Sequence, residues 1–191
     1  MLLLKNVRIS FPHLYKPHAF NGEGEAKYSA AFLIPKGSDA EKQIREEIKK
    51  QSLATFGDKA KAVLDRQNAT NRKLLKDGDD PVEGFTSSGD AKNGYAGHWF
   101  IKGSSKTAPK VVGRNRQPLT EDSGLPYAGC FVNIQIDIWG QKNQFGSFLN
   151  CKLLAVQYWA EGERLGGDSG ANIDAFDSDD SDGWDTDIPW E

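Results

Sequence analysis

Between Ala91 and Thr120 the chain carries six basic residues, Lys92, Lys102, Lys106, Lys110, Arg114 and Arg116, and no Asp or Glu. Tyr95, His98, Trp99 and Phe100 lie in the same stretch. Cationic side chains follow a phosphate backbone, and flat rings stack on unpaired bases at about 1–3 kcal/mol per base. The mixture therefore suits a single-stranded polyanion. A plainer reading is lysines solvating loops around a core ring. Neighbours on a strand face opposite ways, so one of Trp99 and Phe100 is expected to point inward. A second set lies on a strand expected over 130–139. There Phe131, Asn133, Gln135, Asp137 and Trp139 oppose the row Val132, Ile134, Ile136 and Ile138. Lys142 and Phe145 in the next turn, and Lys152 on the last strand, extend that surface. Two aromatics on the polar side of a strand need a cover, either a ligand strand or a loop.

Other chemistries fail on spacing. Ser105-Lys106-Thr107 ends like a phosphate-binding loop, but the glycines that make its N–H cradle are replaced by Phe100 and Ser105. Aligned on Gly183, a calcium loop would begin at Ser178 and end at Pro189, which offers no bidentate carboxylate. His13, His18 and His98 lack Cys or His partners at zinc spacing. Cys130 and Cys151 share the inward parity of their strands and read as buried, inert thiols. Two-metal nuclease chemistry needs carboxylates converging from strands, and only Asp137 is a strand candidate. No catalytic residue, metal ligand or cofactor site is expected.

The 191 residues hold 24 Lys+Arg, 27 Asp+Glu and 3 His, a net charge of −3. That total hides two halves. Nine acids and no base lie from Asp168 to Glu191, so the preceding residues carry an excess of six positive charges. The division predicts a nucleic-acid-binding domain over 1–167 and a disordered acidic tail over 168–191. The longest apolar run, Ala30 to Ile34, is far short of the roughly 18 residues of a membrane span. Met1-Leu2-Leu3-Leu4 is too short for a secretory leader, so the chain is expected to stay in the cytosol.

The elements that must position these residues follow from periodicity. Leu3, Val7, Ile9 and Phe11 alternate with Asn6, Arg8 and Ser10, predicting a strand over Leu2 to Phe11 that Pro12 stops. A second strand runs from Lys27 to Ile34. Ser38 with Glu41 marks a capping box for a helix bearing Ala40, Ile44 and Ile48, closed by Gly57. Asp58 is expected to cap a second short helix. Residues from about Asn68 to Gly94 read as a long surface excursion. Strand character returns at Tyr95 to Ile101, Lys110 to Val112, Cys130 to Trp139 and Phe148 to Trp159. Five or six strands with helices only after the second indicate a mostly β domain, a small barrel or α+β sheet.

Four segments are similar to a family of bacteriophage single-stranded DNA-binding proteins. They are Lys5-Asn6-Val7-Arg8-Ile9-Ser10-Phe11-Pro12, Tyr28-Ser29-Ala30-Ala31-Phe32-Leu33-Ile34-Pro35-Lys36, Tyr127-Ala128-Gly129-Cys130-Phe131-Val132-Asn133 and Ile138-Trp139-Gly140-Gln141-Lys142-Asn143-Gln144-Phe145-Gly146. The resemblance implies an OB-fold, a five-stranded Greek-key barrel holding single strands in a groove, here with one or two helices inserted after the second strand. It also implies a non-catalytic protein coating single-stranded DNA during phage replication or recombination, in the cytoplasm of the infected bacterium. The tail segment Asp185-Thr186-Asp187-Ile188-Pro189-Trp190 resembles the acidic tip by which cellular single-stranded DNA-binding proteins dock on replication and repair partners. It differs in ending on Trp190 followed by Glu191. Asp185, Asp187, Ile188, Pro189 and Trp190 are thus the expected partner-binding residues, and duplex DNA is a further candidate ligand. A metal-dependent nuclease and a DNA-mimicking interaction module are the competing readings.

Overall fold

The computed structural model describes residues 1–19, 24–70, 72–86, 89–144 and 146–166. Among them are seven strands and two α-helices: β1 (Leu2–His18), β2 (Lys27–Pro35), α1 (Asp39–Phe56), α2 (Ala60–Asn68), β3 (Leu75–Asp77), β4 (His98–Ser105), β5 (Lys110–Val112), β6 (Phe131–Asn143) and β7 (Gly146–Ala160). The sheet order is β3-β4-β2-β1-β6-β7-β5, and a parallel contact between β4 and β7 closes it. Five strands, β1, β2, β4, β7 and β6, thus form a closed barrel. Every neighbouring pair in it is antiparallel except β4 and β7. β3 is added beside β4, and β5 runs parallel to β7.

The alternation read in β6 is real. Val132, Ile134, Ile136 and Ile138 are all buried in the barrel core with Leu4, Val7, Ile9, Phe32, Ile34, Ile101, Leu153 and Val156. Cys130 and Cys151 join that core, and burial raises their thiol pKa values to about 11 and about 12. The helices sit where the sequence placed them, between β2 and β4, and send Ile44, Phe56, Ala60 and Val63 into the same core. Ser38 Oγ accepts from the Glu41 N–H at 3.3 Å, and the Glu41 carboxylate reaches back to the Gly37 N–H at 2.7 Å. This is a capping box displaced by one residue. Gly57, at φ 57°, ends α1. At Gly140 on β6 a Cβ would strike the Thr55 side chain, so the C-terminal turn of α1 approaches the barrel closely there.

Several expectations need correction. β1 does not stop at Pro12; it continues through Pro12 and Pro17 to His18. Its pairing with β2 shifts register between Ser10 and His13 and again before His18, which keeps both ring nitrogens out of the ladder. A further shift lies between Leu4 and Val7 in the pairing with β6. Asn6 and Phe11 at these irregularities have positive φ, 53° and 47°. Each irregularity resets the alternation, so Leu4, Val7, Ile9 and Leu14 are buried while Leu3 and Phe11 are exposed. Asp58 caps nothing: it lies in a 3-10 turn, Gly57–Lys59, and α2 begins without a side-chain cap. The excursion is not wholly surface loop. It contributes β3 and the largely buried Lys76–Glu83 ion pair at 2.8 Å. Tyr95 precedes β4, which starts at His98.

Candidate nucleic-acid interface

The barrel's register sorts the basic residues. On β4, Trp99, Ile101 and Gly103 share the inward parity, while Phe100, Lys102 and Ser104 face outward. Ser104 pairs with Lys152 of β7 at the closing seam. Lys106 follows the end of β4, and Lys110 opens β5 opposite Ala155 of β7. Lys102, Lys106, Lys110 and Lys152, all exposed, therefore gather along the β4–β7 seam. The cluster is not free of acids in space: Glu25 pairs with Lys106 at 2.7 Å. Beside it, Lys76 and Lys92 share Glu83, Lys76 through the carboxylate and Lys92 through a 2.6 Å bond to the backbone carbonyl. Burial lowers the pKa of Lys92, with Lys76 adding to it and Glu83 opposing. Lys102 is lowered too, first by the protein around it and then by the Lys76 and Lys92 ammonium groups. Three cations against one carboxylate leave a local positive excess that a phosphate would relieve.

The rings fall into different places. Tyr95 and Phe100 pack edge to face, centroids 4.9 Å apart, in a small second core with Leu33, and neither ring is open to stacking. Lys92 lies 5.6 Å from the Tyr95 ring centroid and 5.9 Å from that of Phe100. Trp99 is half-buried against the main core, with Lys36 Nζ 4.9 Å and Arg45 Cζ 4.7 Å from its ring centroid. It also lines a groove of about 390 Å³ under α1 and α2, away from the seam lysines. Phe131 and Trp139 occupy the outer face of β6 as expected, Phe131 half-buried and Trp139 exposed. Eight residues at about 3.3 Å each separate them by roughly 26 Å, so they are two stations rather than one patch. Lys142 is exposed in the turn beyond Trp139. Arg114 is exposed and stands over the ring of Trp159, 5.3 Å from its centroid; Arg116 is exposed at φ 65°. Phe145 and the tail residues Asp185, Asp187, Ile188, Pro189 and Trp190 lie outside the described residues.

Among the described residues, three exposed Trp or Phe rings, Trp159, Phe11 and Phe85, fall outside the expected set. Trp159, on β7, sits at the register shift where Phe131 meets Ala160 and Val132 meets Tyr158, so it has no partner on β6 and stands exposed. Phe11 was assigned inward because nothing in the residue order signals the irregularity preceding it. Among the described residues no group of three or more His, Cys, Asp or Glu is placed to hold a metal ion.

A closed five-stranded Greek-key barrel with cations along one seam and rings on its outer faces is the build of the oligonucleotide-binding class. The family model described as "Enterobacter phage Enc34, ssDNA-binding protein" matches residues 1–185, and the chain belongs to that family. A protein designated p50 of Acyrthosiphon pisum secondary endosymbiont phage 1 is 36% identical over 177 residues, 91% of each chain. Among solved structures, the single-stranded DNA-binding protein of bacteriophage Enc34 in complex with ssDNA superposes with a TM-score of 0.66 at 30% identity, covering 86% of this chain and 88% of that one. Bacteriophage T7 gp2.5, a single-stranded DNA-binding protein, shares the fold at a TM-score of 0.50 and 18% identity, over 90% of this chain and 94% of its own.

Proposed function

We propose that this protein binds single-stranded DNA as a non-catalytic coat during phage replication or recombination, in the cytoplasm of the infected host. The observation that carries the reading is the likeness, across 86% of the chain, to a phage protein captured with ssDNA. The local chemistry agrees. Lys102, Lys106, Lys110 and Lys152 at the seam track phosphates, with Lys92 behind them and Arg114, Arg116 and Lys142 beyond. Phe131, Trp139 and the unforeseen Trp159 offer ring faces to bases. Neither a cation row nor a ring face reads base identity strongly, so sequence preference is weak.

The division into a binding domain over 1–167 and an acidic tail over 168–191 is part of the proposal. The tail's nine negative charges compete with DNA for the cationic seam, and Asp185, Asp187, Ile188, Pro189 and Trp190 recruit replication partners. The test is a titration of labelled single-stranded oligonucleotide, with Mg²⁺ present, at two salt concentrations. Expected are retention of intact DNA and an affinity that falls steeply with salt as counterions are released. Cleavage of the DNA, or an affinity indifferent to salt, overturns the reading.

A further inference from the structure

Tyr95 holds the one buried side-chain polar atom without a hydrogen-bond partner among the described residues, its Oη. The residue is 2% exposed, and burial raises its pKa, so the hydroxyl keeps its proton and remains a donor at neutral pH. Ser10 is the neighbour that opposes this shift, yet no hydrogen bond of proper geometry joins the two. Buried polar groups are nearly always satisfied, and an exception calls for a missing partner.

Tyr95 also lines a cleft of about 240 Å³ on the outer face of the barrel, with Ser10, Phe11, Lys92, Asn93 and Leu165 among its walls. That volume is below the roughly 300–1,000 Å³ of pockets for drug-sized ligands, so it suits a single ring system. Phe11 stands 54% exposed at φ 47°, a conformation that a bulky side chain rarely adopts and that recurs at ligand clamps. Leu165 supplies an apolar wall, seated where Gly94 leaves no Cβ in its way. The cleft is thus lined by an aromatic ring, an aliphatic side chain, a tyrosine whose hydroxyl has no hydrogen-bond partner, and the Lys92 side chain.

Resting on the single-stranded DNA reading, we infer that this cleft takes one unstacked nucleobase of the bound strand. The base stacks on Phe11, which turns aside to uncover the buried hydroxyl, and a base carbonyl accepts the hydrogen bond from Tyr95 Oη. A donor beside an ammonium group favours bases with carbonyl oxygens, so thymine is held better than adenine, which has none. The cleft is a base-selecting station on an otherwise unselective surface.

The test compares the full chain with Tyr95→Phe and Phe11→Asn, the latter chosen because asparagine tolerates positive φ. Each is titrated with oligo(dT), oligo(dA) and an abasic oligonucleotide of equal length. Tyr95→Phe is expected to lose about two- to tenfold in affinity for oligo(dT), the range of one ordinary hydrogen bond, and to change little on oligo(dA) or the abasic strand. Phe11→Asn should weaken both base-bearing strands and spare the abasic one. Because the hydroxyl has no partner inside the protein, Tyr95→Phe should keep or raise the urea midpoint. Unchanged oligo(dT) binding by Tyr95→Phe overturns the inference, as does an equal loss on the abasic strand or a lowered midpoint. If the unaltered chain binds none of the three strands, the single-stranded DNA reading itself falls, an outcome distinct from the others.

Discussion

Trp99 and Trp139 have the same side chain and opposite expected phenotypes. Trp99 lies half-buried against the main core with Lys36 and Arg45 near its ring. Truncating a large core aromatic costs about 3–5 kcal/mol, and each cation–ring contact contributes about 0.5–1 kcal/mol at such sites. Half burial with two such contacts puts Trp99→Ala at about 2–4 kcal/mol of stability. Trp139 is 42% exposed on the outer face of β6, so Trp139→Ala should cost stability less than about 1 kcal/mol. Its loss should appear in DNA binding, at about 1–3 kcal/mol for one stacked base, roughly five- to 150-fold in Kd. Urea unfolding and fluorescence anisotropy on the same two variants separate the effects. Trp99→Ala should unfold at a lower urea concentration and, while folded, bind a single-stranded oligonucleotide nearly as well as the parent. Trp139→Ala should do the reverse. A Trp99→Ala protein that keeps its urea midpoint and loses DNA affinity would refute the assignment of Trp99 to the core.

Three more outcomes follow from particular contacts. Gly140→Ala drives a methyl group into Thr55 and should cost about 1–3 kcal/mol, readable as a lowered thermal midpoint, while Gly140→Ala combined with Thr55→Gly recovers much of it. Cys130 and Cys151, with thiols pushed up to about 11 and about 12, should resist iodoacetamide at pH 8 in the folded protein and react fully in denaturant. His13 stacks on His18, centroids 4.4 Å apart, and its pKa is lowered by burial and then by that second imidazole. The unfolded chain therefore takes up the proton first, near pH 6.5, and stability should fall as pH drops below that value. In His13→Gln that part of the pH dependence should flatten.

Legibility tracked how local the determining physics was. The β6 row from Val132 to Ile138 and the Ser38–Glu41 cap could be read because each depends on residues two or three positions apart. In β1 the sequence pattern places Val7 and Ile9 correctly and fails at Leu3, at Phe11 and at the end of the strand. Its irregularities near Asn6 and Phe11 are set by partners on β2 and β6, more than a hundred residues away in the case of β6. The same distance effect shaped the site. The lysines of the 91–120 stretch were visible, but their gathering along the seam depends on Ser104 meeting Lys152. The aromatic residues there were visible too, yet Tyr95 and Phe100 pack into a small core with Leu33 and Leu165 that only the folded chain assembles. Glu25 approaching Lys106 shows that an acid-free stretch of sequence is not an acid-free surface.

The pairing of β1 with β6 has a consequence for how the protein is made. Leu2 meets Ile136, so β1 waits on the ribosome for a partner synthesised more than a hundred residues later. At about 5–20 residues per second that delay lasts roughly 5–25 s, during which β1 can pair with β2, and β2 later with β4, while the β6-facing flank of β1 stays bare. The bare flank carries Leu2, Leu4, Val7 and Ile9, a stretch of the kind that pairs with any available strand. Two features temper the hazard. Irregular backbone at Asn6 breaks the flat edge that another nascent chain would match, and Lys5 and Arg8 set charges within it. The kink in β1 that obscured its reading thus serves as a gatekeeper while polysomes hold many copies of the unfinished barrel close together.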